Sequence, residues 1–178
     1  MANLRDANIL RDFTVWIRDV GMIGESPGFQ IPEIKIQTED FRGGGMFGTA
    51  EVPMGVEKVE FEFDLHTWNE SVFQEIGFSA NAMSVPIMFR GHMVTANGGS
   101  TGVYINTLSL VKEIKPAKVS PGKKTELTVS CVANYYQHQV GPVNGKRTIT
   151  EINVFDNTFF VNGVDLTQGS RQILGFDY

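Results

Sequence analysis

Apolar and polar residues alternate with a period of two along much of the chain. From Val59 to Leu65 every odd-numbered residue is apolar and every even-numbered one is acidic. This pattern indicates a strand with one face on a core and the other in water. Ile34–Gln37 shows a shorter version. β-branched and aromatic residues predict further strands over Phe13–Ile17, Val85–Thr95, Gly102–Ile114, Thr125–Val140 and Arg147–Phe155.

Turn signals favour antiparallel hairpins between these strands. Asn97-Gly98-Gly99, Asn144-Gly145 and Asn162-Gly163 are typical of tight turns that need positive φ angles. Pro116 and Pro121-Gly122 interrupt the connection between two long strands. No rhythm of strand, helix and strand indicates a parallel sheet, and no linker divides the chain. We therefore expect a single domain over residues 1–178, built mainly of antiparallel strands.

One internal helix is predicted near Thr67. Thr67 and Glu70 have the spacing of a capping box, in which a hydroxyl and a carboxylate satisfy free amides of the first turn. Gly77 is a plausible C-terminal stop. A second short helix is predicted over Leu166–Leu174. Helical spacing places four apolar residues of the first helix on one face, where we expect core packing: Trp68, Val72, Phe73 and Ile76.

Composition and charge narrow the functional classes. The 178 residues carry a net charge of −5, which argues against a protein that grips nucleic acid through its phosphates. Cys131 is the single cysteine, so no intrachain disulfide is possible and a cytosolic folding compartment is expected. No run approaches the roughly 18 apolar residues that span a bilayer, and the N-terminus lacks a secretory pattern. No stable membrane association is expected.

Two motifs suggest chemistry that their surroundings do not support. Gly43–Gly48 formally matches the GxGxxG pattern, but Pro53 and Gly55 follow where a phosphate-binding helix would have to begin. A loop that reaches a neighbouring subunit is favoured instead. No cofactor is predicted. His66, His92 and His138 lack metal-ligand spacing, and Cys131 lies in an alternating strand as a small buried residue.

Glu60, Glu62 and Asp64 form an acidic stripe on one face of one predicted strand. A solvated strand face is the simplest interpretation. A catalytic or calcium-binding group would need further ligands that the sequence does not supply. Because neighbouring carboxylates repel one another, a role for a negative surface stays open.

Several segments together resemble the major tail tube family of P2-type contractile phage tails, which also occurs in R-type bacteriocins. They follow one another in order from about residue 13 to the end of the chain, and their spacing makes the resemblance specific. The segments are Ile31–Met46, Met54–Lys58, Phe89–Gly91, Ser130–Tyr136, and Asn162–Asp165 followed by Arg171 and Leu174.

The resemblance implies an antiparallel β-sandwich or barrel-like subunit with a flanking α-helix. Such subunits assemble as hexameric rings that stack into a tube, whose inner wall is a continuous β-barrel. It also implies that residues 38–55 form an extended, glycine-rich assembly loop. The residues expected to contact neighbouring subunits are Thr38, Glu39, Asp40, Phe41, Arg42, Gly43, Gly44, Gly45 and Met46.

The implied role is passive and not enzymatic. The tube would be a conduit inside a sheath, located in a virion tail or a bacteriocin particle and assembled in the cytoplasm of a bacterial host. Expected partners are further copies of the chain, the sheath, tape measure, baseplate and tail terminator proteins, with double-stranded DNA only as passing cargo. Some of Glu60, Glu62 and Asp64 would face the lumen or the sheath.

Three other classes remain open from the sequence. The nearest is a tube protein of another injection machine, such as the haemolysin-coregulated protein of type VI secretion. A small-ligand-binding β-barrel would be monomeric and would need an apolar interior pocket. An enzyme would need a convergent polar site, which the sequence does not reveal.

Overall fold

A computed structural model describes residues 8–75, 82–95 and 98–176. The predicted class is confirmed, since strands dominate and every strand pairing is antiparallel. The strands are β1 (Asn8–Ile17), β2 (Val20–Gly21), β3 (Gly28–Phe29), β4 (Ile36–Phe41), β5 (Ala50–Val56), β6 (Val59–Leu65), β7 (Val85–Thr95), β8 (Ser100–Pro116), β9 (Leu127–Gly141), β10 (Arg147–Asn153), β11 (Thr158–Val161) and β12 (Val164–Asp165). The helices are α1 (Glu70–Phe73), a 3₁₀ turn at Ala82–Ser84, and α2 (Gln168–Leu174).

Ten strands form one large sheet, and β4 with β5 forms a separate ribbon. The order along the main path is β12, β11, β10, β9, β8, β7, β1 and β2. Strands β7 to β12 are therefore a meander, as the turn signals predict. Strand β9 is shared, because β6 pairs with its first half (Leu127–Ala133) and β10 with its second (Tyr135–Val140).

The core lies where the sheet folds over itself. Phe61 and Phe63 of β6 are buried, as the alternation of that strand predicts. Phe29 of β3 packs against both rings and stacks on Phe89 of β7, with ring centroids 4.7 Å apart. Phe89 in turn stacks on Phe13 of β1 at 5.4 Å. The aromatic chain joins the two layers of the sheet, and stacked or tilted rings add to the energy of burial.

The first helix differs from its predicted form. Its N-cap is Asn69, whose side-chain oxygen accepts a hydrogen bond from the Ser71 amide at 3.0 Å. Thr67, the predicted cap, donates its hydroxyl to the Glu25 carboxylate, and Asn69 takes the cap position. Val72 is buried, but Trp68 and Phe73 are 56% and 40% exposed, so the predicted core face is wrong for these two aromatics. The predictions for Ile76 and Gly77 lie outside the described residues.

Two of the three predicted Asn-Gly turns lie wholly within the described residues. Asn162 and Gly163 have φ angles of 50° and 82°, as a tight hairpin turn requires. At Asn144-Gly145 the prediction of positive φ is wrong. The turn there closes through the Gly145 amide to the Pro142 carbonyl at 3.0 Å, and Gly141, with φ of 140°, takes the unusual conformation instead. Gly98 has φ of 80°, while Asn97 lies outside the described residues.

Candidate subunit interface

Residues 36–56 form a β-hairpin and not the extended loop that the sequence predicts. Strand β4 pairs with β5 in antiparallel register from Ile36 opposite Val56 to Phe41 opposite Ala50, with one irregularity at Gln37/Thr38. Every residue of β4 is exposed, as is every residue of β5 except Val56. The ribbon is thus a two-stranded sheet with both faces in solvent, which is marginally stable by itself.

The glycine cluster forms the turn of this hairpin. Gly45 has φ of 85°, in the left-handed region that glycine adopts without strain. The Met46 amide donates to the Gly43 carbonyl at 3.2 Å and closes the turn. A strand follows the cluster and not a helix. The geometry of a dinucleotide site is therefore not present at this GxGxxG match.

The predicted assembly residues all lie on this one feature. Thr38, Glu39, Asp40 and Phe41 belong to β4, and the remaining five form the start of the turn: Arg42, Gly43, Gly44, Gly45 and Met46. Successive residues of a strand face opposite sides. Asp40 and Glu51 share one face, whereas Phe41 and Val52 share the other. The hairpin therefore has an acidic face and a partly apolar face, and the fully exposed Phe47 stands at its tip.

A groove of about 580 Å³ runs beside the base of the hairpin. The hairpin contributes Met54 and Val56, and the opposite wall includes Ile152 of β10, Phe159 of β11 and Leu166. Val154 also lines the groove. Several large apolar side chains of the C-terminal segment are exposed: Val154, Phe155, Leu166, Ile173 and Leu174. An apolar groove bordered by exposed apolar side chains is typical of an interaction surface.

The acidic stripe is partly satisfied within the subunit. Ser130 donates to Glu62 at 2.8 Å, and Thr128 donates to Asp64 at 2.7 Å, both across the β6–β9 pairing. Glu60 forms an exposed ion pair with Lys112 at 3.4 Å. Among the described residues no three histidine, cysteine, aspartate or glutamate side chains are grouped as a metal site would require. The stripe is thus a hydrogen-bonded strand face.

The histidines and the cysteine do not converge on a common site. His66 contacts the Thr125 carbonyl at 3.2 Å, and His92 contacts the Ser100 hydroxyl at 2.8 Å. His138 is partly buried, and this burial lowers the pKa of its imidazole. Cys131 is buried, as predicted, and burial raises the pKa of its thiol to about 12. None of the helices in the described ranges is long and apolar enough to cross a membrane.

Two polar clusters of the fold were not predicted from the sequence. In the first, the buried Arg171 of α2 forms an ion pair with the partly buried Asp165 and also donates to the Asn157 carbonyl at 3.1 Å. In the second, Glu151 accepts hydrogen bonds from Tyr135 at 2.8 Å and Gln137 at 3.4 Å. Alternation in β9 was a usable signal for the second cluster, because Tyr135, Gln137 and Gln139 share one face. The pairing of Arg171 with Asp165 in the first cluster depends on where helix α2 lies, which the sequence pattern does not indicate.

Comparison with known proteins connects this arrangement to a family. The family model of "Phage tail tube protein FII" matches residues 7–175, which is nearly the whole chain. The chain belongs to this family. It is 27% identical over 169 residues to the tail tube protein of Escherichia phage P2, covering 93% of this chain and 96% of the relative. It is also 24% identical over 132 residues to the major tail tube protein of Serratia phage KSP20, covering 74% and 76%.

A solved structure supports the fold of this tail tube subunit. The sheath–tube complex of an extracellular contractile injection system (PVC, extended state) matches with a TM-score of 0.54. The match has 10% identity and covers 71% of this chain and 87% of that chain, so it shows the fold alone. Membership of this family favours the tail tube subunit over the other functional classes that remained open from the sequence. The chain is a structural subunit of a tail tube, and its place is a phage tail or a tail-like particle.

Proposed function

We propose that six copies of the subunit close into a ring and that rings stack into the inner tube of a contractile tail. The tube acts as a passive conduit, without cofactor and without catalysis. A surrounding sheath drives the tube through a cell envelope. The baseplate lies at one end of the tube and the tail terminator at the other, and the tape measure protein occupies the lumen before ejection. In a DNA-filled particle, double-stranded DNA passes through the lumen without being held.

The β4–β5 hairpin is the single observation that carries this proposal. A two-stranded ribbon with both faces in water gains little from its own packing. This one also exposes Phe41, Val52, Met54 and the whole of Phe47. Contact with a second subunit would cover these side chains and supply the missing packing. The hairpin is therefore the assembly element of the ring or of the stack, with Thr38–Met46 as its contact residues.

Charge supports the passage of DNA. Duplex DNA carries one negative charge per about 1.7 Å of its axis, so a basic wall would bind it and slow its movement. Each subunit has a net charge of −5. We propose that Glu60, Glu62 and Asp64 contribute to the acidic surface of the tube on its lumen or sheath side. A tube map that places all three inside subunit contacts would contradict this assignment.

Electron microscopy of the purified protein tests the proposal directly. Rings or tubes with a central channel are expected at high protein concentration, and a compact monomer under all conditions would contradict the function. Phe47→Ser should reduce assembly because it removes the exposed ring at the tip of the hairpin. Val143→Ser is the matched control, since Val143 is also exposed and lies in the β9–β10 turn. Equal assembly of both variants would exclude the hairpin tip as a contact.

A further inference from the structure

The segment that ends β8 and leads into β9 is strongly basic in an acidic protein. Residues 115–124 contain Lys115, Lys118, Lys123 and Lys124 and no acidic residue. The remaining residues carry a net charge of −9, because the whole chain has −5 and this turn +4. All four lysines are exposed. We call residues 115–124 the lysine-rich turn.

The lysine-rich turn has a defined shape. The Ala117 amide donates to the Glu126 carbonyl at 2.9 Å and holds the base of the turn together. At its tip the Lys123 amide donates to the Ser120 carbonyl at 3.2 Å, and Gly122 has φ of 78°. Pro116 and Pro121 restrict the backbone further. The positive charges are therefore held at one end of the sheet, and ordering them on binding costs less than it would in a flexible segment.

These lysines are not neutralised by the described part of their own chain. The ion pairs found there are Arg18–Glu75, Lys35–Glu33, Lys112–Glu60 and Arg171–Asp165, and none includes a lysine of the turn. A fixed cluster of like charges repels itself. An acidic partner would relieve that repulsion.

The hairpin carries the complementary charge. Asp40 lies directly opposite Glu51 in the β4–β5 pairing, and both are exposed. Like charges directly opposite each other destabilise a strand pair. No ion pair within the described residues compensates these two carboxylates. The stripe on β6 is different, because Glu60, Glu62 and Asp64 already have the polar partners described above.

The two charged surfaces belong to different places on the subunit. Val56 of the hairpin leads directly into Val59, where β6 begins. The lysine-rich turn lies next to the other end of β6, since Leu65 is paired with Leu127. A seven-residue strand separates these points by about 20 Å. Complementary surfaces at different places on one chain make a head-to-tail contact between copies, which either closes into a ring or repeats along an open stack.

We infer that the lysine-rich turn of one subunit binds the Asp40–Glu51 face of the hairpin of a second copy. This inference rests on the proposed function, because it assigns the receiving surface for the acidic face of the assembly hairpin. The lysines of the turn replace the missing counter-charge of Asp40 and Glu51. The contact also gives the assembly a direction, because each subunit offers a hairpin to one neighbour and a lysine-rich turn to another.

Charge exchange between two variants tests the contact. The first variant is Lys118→Glu, Lys123→Glu, Lys124→Glu, and the second is Asp40→Lys, Glu51→Lys. In each variant alone, both surfaces have the same sign. We expect the concentration needed for tube formation to rise by about tenfold or more. An equimolar mixture should assemble at nearly the wild-type concentration, because each variant supplies the surface that the other lacks.

Control variants separate charge from shape. Lys118→Arg, Lys123→Arg, Lys124→Arg keeps the charge and should assemble as the wild type does. Two neutral variants should lose less tube formation than the charge-reversed ones. The first is Lys118→Gln, Lys123→Gln, Lys124→Gln, and the second is Asp40→Asn, Glu51→Gln. Urea unfolding of each variant confirms that the subunit is folded, and the neutral series serves if charge reversal prevents folding.

The outcomes distinguish this contact from the proposed function. If the wild type forms neither rings nor tubes, the proposed function fails. If wild-type tubes form and the charge-reversed variants assemble equally well, the contact is wrong and the function stands. A chain that carries both sets of changes is a further test. If this chain forms tubes at the wild-type concentration and the mixture does not, the contact lies inside one subunit and the inference is wrong. Loss of sheath binding with tubes intact would assign the lysine-rich turn to the sheath and overturn it too.

Discussion

Asp40 of β4 lies directly opposite Glu51 of β5, so two carboxylates face the same side of a two-stranded ribbon. Neither is buried, and no ion pair among the described residues includes either. The ribbon thus combines a repulsive pair of charges with a two-stranded sheet, which is only marginally stable by itself. In an isolated subunit, the hairpin is expected to open more readily than the large sheet does.

Removing one of these charges should stabilise the hairpin in the isolated subunit. Cross-strand pairs contribute about 0.2–1 kcal/mol, and Glu51→Gln replaces repulsion by a neutral contact. The protection of hairpin amides from hydrogen exchange should rise accordingly, and more at low salt than at high salt. Glu39→Gln is the control, because Glu39 lies opposite Val52 and has no facing charge. Equal protection in both variants would contradict the repulsion.

The Asp165–Arg171 pair should make stability depend on acid pH. The hydrogen bond from Arg171, assisted by hydrogen bonds from Thr167, lowers the pKa of the Asp165 carboxyl. A lowered folded-state pKa stabilises the fold above the unfolded-state value of about 4, and this contribution is lost as pH falls through the folded-state pKa. Asp165→Asn should lower the urea midpoint at pH 7 and flatten its decline between pH 5 and 2.

An exposed carboxylate provides the comparison for this pH series. Glu113→Gln changes an exposed residue of β8 and should leave both the midpoint at pH 7 and its decline with pH close to wild type. A decline that is equally steep in Asp165→Asn and in the wild type would show that other groups cause the acid sensitivity.

Local alternation was sufficient to predict the β6 strand and most of the long strands. The inward residues of β6 are Val59, Phe61, Phe63 and Leu65, and all are buried as the pattern requires. The pairing of β6 with β9 and of β1 with β7 was not predictable, because both join strands distant in sequence. The bulge near Asn134, which shifts the β8–β9 register, also leaves no period-two signal.

The hairpin was predicted in location but not in form. Glycine-rich segments are typical of loops, and Gly43–Gly48 does form the turn. The strands around it contain Pro53 and Gly55, which weaken a β prediction. A two-stranded ribbon tolerates both, because each strand has a free edge where a missing amide costs nothing. The opposition of Asp40 and Glu51 depends on the register of the ribbon, which shifts at Gln37/Thr38.

Cys131 should be chemically inert in the folded subunit. It lies in β9 opposite Phe61, it is buried, and its thiol has a raised pKa of about 12, so the reactive thiolate is scarce near neutral pH. A thiol reagent at pH 8 should label it only as fast as the fold opens. In the Cys131→Ala background, Val143→Cys gives an exposed thiol that should react at once. Rapid labelling of Cys131 without denaturant would contradict its burial.

Gly141 at the end of β9 should not tolerate a side chain. Its φ is 140°, and a Cβ atom built there would lie 2.5 Å from the backbone carbonyl oxygen of Gly145. The amide of the same residue closes the turn by donating to the Pro142 carbonyl, so relief of the clash has to shift the backbone of this turn. Gly141→Ala should lower the free energy of unfolding by about 1–3 kcal/mol in urea titrations. Gly48→Ala is the matched control, because nothing lies within 4 Å of its added Cβ. Equal stability of the two variants would mean that the β9–β10 turn rearranges freely, and the Asn144-Gly145 pair could then adopt the positive φ angles that its sequence favours.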